Sequence, residues 1–256
     1  MLKITFLGTG TSQGIPIIGS KHPVCHSKDS KDKRLRVSVA IQWDDFFYVI
    51  DCGPDFRQQM LSCGARRLDG ILFTHEHADH TAGLDDIRPF FFRQGKIPMY
   101  MTTVVYKALK NRFGYIFNDA NKYPGAPSVD IEVFDNSSEI QLQNKTVIPV
   151  EAMHYNSPVN GFRIDNFAYM TDVKTISEEE KAKLNQLDVL VLNALRIEPH
   201  PSHLNLAEAL ELVDELKPKR TYFTHISHLL GFHEEVEKTL PPNVFLAYDS
   251  LQITSH

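Results

Sequence analysis

Residues 73–83 read Phe-Thr-His-Glu-His-Ala-Asp-His-Thr-Ala-Gly, so three histidines and one aspartate fall within six consecutive positions. With 12 histidines in 256 residues, three at fixed places arise by chance roughly once in 10⁴ starting positions. Neutral imidazole and ionised carboxylate are the ligands preferred by Zn²⁺, Mn²⁺ and Fe²⁺. The preceding stretch, Asp69-Gly70-Ile71-Leu72-Phe73-Thr74, is a short apolar run opened by a turn pair, the pattern of a buried strand. The fold must therefore end a core strand at this cluster, giving loop side chains a rigid platform from which to converge on a metal.

Bulk properties narrow the class. The length suits one large α/β domain, and no linker or low-complexity tract divides residues 1–256, so a single domain is expected. A formal charge of -5 gives no sign of a general nucleic-acid or membrane surface. No window approaches 18 uninterrupted apolar residues, which argues against a membrane span. Met1 to Gly8 alternates like a strand and lacks the apolar region of a signal peptide. Three cysteines, Cys25, Cys52 and Cys63, make no disulfide framework, so a reducing, cytoplasmic setting is the expectation.

Strands are expected at 2–7, 37–42, 46–51, 69–74, 97–101, 129–134, 146–151, 161–164, 167–170, 187–192, 220–224 and 244–248, with Asp44-Asp45 as a hairpin turn. Pro54 begins a helix that Gly64 stops. Ser177 with Glu180 and Asn205 with Glu208 have capping-box spacing, and the apolar stripe over 204–216 ends at Pro218. Strands come in runs early and alternate with helices later, which predicts two sheets with helices outside.

Three apolar strands end in threonine followed by a potential ligand: Phe73-Thr74-His75, Met170-Thr171-Asp172 and Phe223-Thr224-His225. If these ends lie side by side, their ligands meet at one sheet edge. Alternation turns the first cluster two ways, with His75 and His77 toward one ion and Asp79 and His80 toward a second. His154, Asp172 and His225 are candidates to complete a two-ion site.

The segment His75-Glu76-His77-Ala78-Asp79-His80 resembles the His-x-His-x-Asp-His signature of the metallo-β-lactamase fold hydrolases, and the later order His154, Asp172, His225 matches it. The opening Leu7-Gly8-Thr9-Gly10-Thr11-Ser12-Gln13-Gly14-Ile15-Pro16 is similar to that of the phosphoribosyl cyclic phosphodiesterase branch, known from bacterial phosphonate breakdown. Asp32 to Arg36, Asp51 to Arg57 and Gly83 to Pro89 support it. The resemblance implies an αββα sandwich of the α/β class with a dinuclear Mn²⁺ or Zn²⁺ site at one edge. It implies that His75, His77 and His154 hold one ion, that Asp79, His80 and His225 hold the other, and that Asp172 bridges them. Two divalent cations about 3.5–4 Å apart lower the pKa of a shared water toward neutrality, and the resulting bridging hydroxide attacks phosphorus. Asp79 and His203 are the expected catalytic residues, His203 matching a family histidine that protonates the departing alkoxide, with His200 as its neighbouring alternative. General acid help of this kind contributes about 10²–10⁴ in rate.

Gly8-x-Gly10-x-x-x-Gly14 departs from the dinucleotide spacing by one residue, and no Gly-Lys-Ser/Thr follows, so both nucleotide-binding readings fail. The basic run 31–36 leads into a strand near the expected site, which makes Arg34 and Arg36 candidates for substrate phosphate, ahead of Arg57 and Arg88. Related phosphodiesterases carry a structural zinc on Gly-Cys-x-Cys-x-x-Cys plus a histidine three residues after the last active-site one. Here Gly19-Ser20-Lys21-His22-Pro23-Val24-Cys25 with His228 retains a degenerate form. It leaves His22, Cys25 and His228 as candidates for an additional Zn²⁺, with His26, His233 or water as fourth ligand.

The expected activity is metal-dependent hydrolysis of small cyclic phosphodiesters, a small-molecule substrate class. Endonucleolytic tRNA 3′-processing is the rival, but the long basic arm it needs is absent, so a nucleic-acid partner is not expected. Thioester or lactone hydrolysis stays open, because the same nucleophile attacks acyl carbon. A non-enzymatic metal sensor would lack ligands or the acid, and none is missing here. Family members make a homodimer the expected assembly.

Overall fold

The computed structural model describes residues 1–118 and 122–255. Strands β1 (Leu2–Gly8), β2 (Ser38–Trp43) and β3 (Phe46–Ile50) form an antiparallel meander, and Asp44 at φ 48° makes its second turn. Parallel strands β4 (Gly70–Leu72), β5 (Ile97–Met101) and β6 (Val129–Val133) extend this sheet from β3. The second sheet repeats the plan. Strands β7 (Ile140–Leu142), β8 (Lys145–His154), β9 (Ser157–Ile164) and β10 (Phe167–Met170) are antiparallel, and β11 (Val189–Asn193), β12 (Arg220–Thr224) and β13 (Val244–Leu246) continue in parallel from β10. Finally β14 (Gln252–Ser255) returns to pair with β1, so each sheet has seven strands.

Helices cover the outer faces. On the first sheet lie α1 (Phe56–Ser62), α2 (Ala78–Thr81), α3 (Arg88–Gln94), α4 (Thr103–Arg112) and α5 (Gly114–Phe117), and on the second α6 (Glu178–Ala182), α7 (Leu206–Leu216) and α8 (His233–Glu237). The core accordingly falls into three layers. Ile4, Phe6, Ile41 and Tyr48 of one sheet face Phe162, Tyr169 and Val191 of the other. Outside this, Phe56, Met60, Phe90 and Leu109 pack on the first sheet, and Leu184, Ala209, Leu212 and Leu216 on the second. This is the expected αββα sandwich. Among the described residues no helix is long and apolar enough to cross a membrane.

The expected elements lie where the patterns place them, with ends shifted. Asn205 forms a full capping box with Glu208 and starts α7. Ser177 caps α6 by accepting from the Glu180 amide, but Glu180 turns its carboxylate to the Glu151 amide and Lys183 instead of closing the box. The patterns give no β7 or β14, strands of only three and four residues. They also give no α3 or α4. The last has its best signal in its cap, since the Thr102 hydroxyl accepts from the Val105 amide.

Candidate active site

The histidine cluster is built by backbone geometry at the end of β4. The Phe73 amide still donates to Tyr100 in β5, after which the chain leaves the sheet and turns into the short α2. That turn sits directly against residues 51–53. The Cys52 amide donates to the His80 carbonyl and the Gly83 amide to the Cys52 carbonyl. A β-carbon at Gly53 would lie 1.9 Å from the Asp79 carbonyl oxygen, so only glycine allows this approach. Asp172 (φ 58°) and His225 (φ 55°) end their strands in left-handed backbone, which swings their side chains off the sheet toward the same edge.

The expected ligands converge. His80 Nε2 lies 3.3 Å from Asp79 Oδ2 and 3.2 Å from Asp172 Oδ2, and His225 Nε2 lies 3.3 Å from Asp172 Oδ1. The His77 ring stands 4.6 Å from that of His75 and 5.3 Å from that of His154. Among the described residues, three donor sets lie within 4.8 Å: His75, His80 and Asp172; Asp79, His80 and His225; His154, Asp172 and His203. The second set is one the resemblance assigned to a single ion. His77 joins none of the three and is exposed.

These donors fit divalent ions. His75 Nε2, His80 Nε2 and both ring nitrogens of His225 are buried without a hydrogen-bond partner. Leaving such atoms unpaired costs about 1–3 kcal/mol each. Ligands held tetrahedrally at 2.0–2.2 Å stand about 3.3–3.6 Å apart, close to the separations between His80, His225 and the two carboxylates.

The charge balance also calls for cations. Asp51, Asp79 and Asp172 are packed around His80. Against the opposing effect of burial, the carboxylates of Asp172, Asp51 and Asp79 hold His80 well above the usual imidazole range. Burial likewise opposes ionisation of Asp172, yet His225 and His80 keep its carboxyl well below the usual carboxylate range. His75 is pushed well down, first by burial and then by His80, and so stays neutral and able to ligate.

Asp51, which the sequence patterns do not single out, supports the cluster from behind. Its Oδ2 accepts from His80 Nδ1 at 2.7 Å and from the Thr74 hydroxyl at 2.8 Å, and its Oδ1 from the Thr74 amide at 2.9 Å. The carboxylate thereby holds a proton on His80 Nδ1, so that Nε2, which faces the cluster, is the nitrogen an ion would take in place of a proton. A signal for it exists in the sequence. Asp51 follows β3, the strand that starts the parallel half of its sheet, as Asp172 follows β10, and Asp51 is also left-handed at φ 63°.

His154 Nδ1 lies 2.9 Å from the Ser202 carbonyl and 3.1 Å from that of Asp172, so it donates there and turns Nε2 the other way. His203 Nε2 is 3.0 Å from Asp172 Oδ1, while its Nδ1 meets the Ser202 hydroxyl at 3.0 Å and His200 Nδ1 at 3.1 Å. Because a carboxylate only accepts, His203 carries its proton on Nε2. Burial lowers the imidazole to about 4, with the Asp172 hydrogen bond pulling the other way, so it is neutral at pH 7. These groups open into a cavity of about 320 Å³ that is also lined by Thr11, Ser12, Gln13, Arg196, Ser227 and His228.

Two expectations are corrected. Arg34 is 3% exposed and donates to the Thr9 hydroxyl, the Ala247 carbonyl and His233 Nδ1, so it braces the N-terminal loop against α8 and cannot reach substrate. Arg36 is tied to Asp55 at 2.9 Å and to the Ser12 carbonyl, outside the residues lining the cavity. Arg196 is the arginine that does line it, unmarked in the sequence because it stands alone between Leu195 and Ile197, outside any basic run. The candidates for the additional zinc are brought together only in part among the described residues, with His22 Nδ1 buried and without a hydrogen-bond partner. His22 and His228 do meet, with rings 4.8 Å apart, but Cys25 is not gathered with them into a three-donor set. Its sulfur accepts from the Ile17 amide within a small apolar group, His26 binds the Ser20 carbonyl and His233 binds Arg34.

The fold and the convergence of imidazoles and carboxylates at one sandwich edge define a metal-dependent hydrolase of the metallo-β-lactamase fold. Residues 47–226 match the family model described as the beta-lactamase superfamily domain, and the chain belongs to that superfamily. It is similar to a solved structure described as a new diphosphatase from the PhnP family, at 39% identity and a TM-score of 0.93, over 100% of this chain and 98% of that one. It is also 36% identical over 253 residues to a Porphyromonas gingivalis protein named octanoyltransferase, covering 98% of this chain but 51% of that protein. A ribonuclease Z of Archaeoglobus fulgidus is 26% identical over 219 residues, covering 83% of this chain and 60% of that protein. The chain thus spans only about half to three-fifths of these two relatives' lengths.

Proposed function

We propose that the protein is a phosphodiesterase for small cyclic phosphodiesters of the phosphoribosyl cyclic phosphate kind. The observation that carries this reading is the Asp172 carboxylate meeting His80, His203 and His225 at 3.0–3.3 Å on the floor of the cavity. It couples the ligand set to a histidine able to move a proton, in a pocket sized for a small ligand. His75, His77, Asp79, His80, His154 and His225, with Asp172 between the two groups, would hold two divalent ions, Mn²⁺ or Zn²⁺. When bound, such ions supply an activated water and neutralise phosphoryl charge. The protein's own part is positioning and proton transfer. Asp51 orients His80, and the Ser202 and Asp172 carbonyls orient His154. His203 sits beside Asp172 on the cavity lining, where its imidazole, once it has taken up the proton released by the attacking water, can pass a proton to the departing sugar oxygen.

The likeness to a diphosphatase supports a phosphorus substrate and favours a second reading, cleavage of a small diphosphate. The ribonuclease Z relative keeps tRNA processing as a rival. No basic arm supports it, and the cavity suits a nucleotide-sized ligand rather than a folded RNA. The test is hydrolysis of a panel with Mn²⁺ and with Zn²⁺: ribose 1,2-cyclic phosphate, 2′,3′-cyclic nucleotides, bis(p-nitrophenyl) phosphate, a small diphosphate diester, a tRNA precursor and a thioester. Turnover of the cyclic esters ahead of the others is expected. Activity confined to the tRNA precursor or the thioester would overturn the proposal.

A further inference from the structure

A second cavity, of about 260 Å³, lies beside the segment that carries His75 and His77. Strand alternation explains part of its lining. Val147 in β8 and Phe162 in β9 face the apolar layer between the sheets, so Glu151 and Asn160, an even number of residues away, leave their strands on the same face. The two are register partners, and they bring a carboxylate and an amide to the edge of that layer. The first sheet and its connections contribute Thr74, Glu76, Val105 and Phe134. Glu76 stands between two expected metal ligands, yet it lines this cavity and not the catalytic one.

Hydrogen bonding fixes which polar atoms meet the cavity. A carboxylate only accepts, so Asn136 gives its Nδ2 to Glu151 Oε2 and turns its Oδ1 away. That Oδ1 accepts from Asn160 Nδ2, which leaves Asn160 Oδ1 to the cavity. Asn160 is 3% exposed, and its Oδ1 meets no donor among the described residues. A buried oxygen in that state is unfavourable until a ligand supplies an N–H. The Glu76 carboxylate likewise has neither hydrogen bond nor ion pair among the described residues, and Glu151 has no ion pair.

Nothing in the lining offsets this charge. It contains no lysine, arginine or histidine. Lys183, which reaches the Asn136 carbonyl, is paired with Glu180, and Asp135 is taken up by Ser137 and Ser138. The cavity thus offers acceptors from Glu76, Glu151 and Asn160 beside the apolar surfaces of Val105, Phe134 and Pro158. A metal ion does not suit it, because among the described residues its carboxylates form no three-donor set, unlike the cluster. Acceptors spread around an apolar-walled cavity suit an organic cation that donates from more than one N–H and carries a hydrocarbon body.

We propose that this cavity is a second ligand site, separate from the catalytic one, for a small organic cation of the alkylguanidinium or alkylammonium class. Glu151 and Glu76 meet its charge, and Asn160 Oδ1 accepts one N–H. The inference stands independently of the phosphodiesterase reading.

The test compares butylguanidinium with butylurea, alike in shape but not in charge, by calorimetry on the metal-loaded protein. A single site per chain is expected, with the cation bound about 10- to 100-fold more tightly. Glu151→Gln and Glu76→Gln should each reduce that preference by about tenfold. Thermal unfolding and metal content of both variants check that the fold and the cluster persist. Saturating inorganic phosphate, a probe for the catalytic cavity, should leave binding of the cation unchanged. No preference for the cation, its retention in both variants, or its loss on adding phosphate overturns the proposal. A third Mn²⁺ per chain that Glu151→Gln abolishes would overturn it in favour of a metal site.

Discussion

Replacing Asp51 with asparagine tests whether the cluster is organised from behind. Asparagine tolerates the left-handed backbone at φ 63°, so the fold should survive. Its carbonyl oxygen can still accept from the Thr74 amide, but its NH₂ group then faces His80 Nδ1–H, where the carboxylate accepted at 2.7 Å. Two donors opposed at that distance force His80 to put its proton on Nε2, the atom needed by the ion. Loss of such an outer carboxylate costs about 10–100-fold in metal affinity, or about 1.4–2.8 kcal/mol at 1.4 kcal/mol per decade. Titration of the metal-loaded variant against a competing chelator measures this directly. Asp51→Ala should do worse, since it strips the Thr74 amide and hydroxyl of their buried acceptor at about 1–3 kcal/mol each, and should lower the unfolding temperature too. An Asp51→Asn protein that keeps metal affinity within threefold of wild type would refute the reasoning.

Three further outcomes follow from the same geometry. Gly53→Ala places a methyl group against the Asp79 carbonyl and should displace the cluster turn, lowering metal content at least tenfold; full metal occupancy by elemental analysis would contradict it. His203→Ala should slow turnover about 10²–10⁴-fold for alkoxide leaving groups and much less for nitrophenolate, with equal losses on both excluding the acid role. His233 is lowered to about 4 by burial and by Arg34, whose guanidinium faces Nδ1. Because the unfolded imidazole titrates near 6.5 and the folded one near 4, stability is intact above pH 6.5 and falls by up to about 3 kcal/mol as pH drops toward 4. In His233→Gln that acid-side loss should shrink; denaturation curves that fall in parallel for both proteins would dismiss this assignment.

The sequence exposes the parts of this protein that repeat or alternate. Apolar runs give most strands, and the Thr74-His75, Thr171-Asp172 and Thr224-His225 ends do lie together, because β10 and β12 flank β11 in parallel and finish level with it while β4 of the facing sheet ends beside them. What escapes it is set by partners distant in the chain. Arg34 reads as a surface cation within a basic run, yet burial against Thr9, Ala247 and His233 makes it a structural brace. Asp51 reads as the polar end of a strand until His80, 29 residues away, is brought against it. The motif His22 to Cys25 with His228 has the order of a metal site, but the local fold turns the Cys25 sulfur to the Ile17 amide. Spacing along a chain names donors; only the packing decides which way they point.

The central proposal is that seven side chains on four separate segments form one two-ion hydrolytic centre. It is tested most directly by stripping the protein with chelator, adding back Mn²⁺ or Zn²⁺ in steps, and following bound metal and bis(p-nitrophenyl) phosphate turnover together. The account predicts saturation at two ions per chain, with turnover completed only as the second binds. Saturation at one ion with full activity, or unimpaired turnover by the metal-free protein, would contradict it.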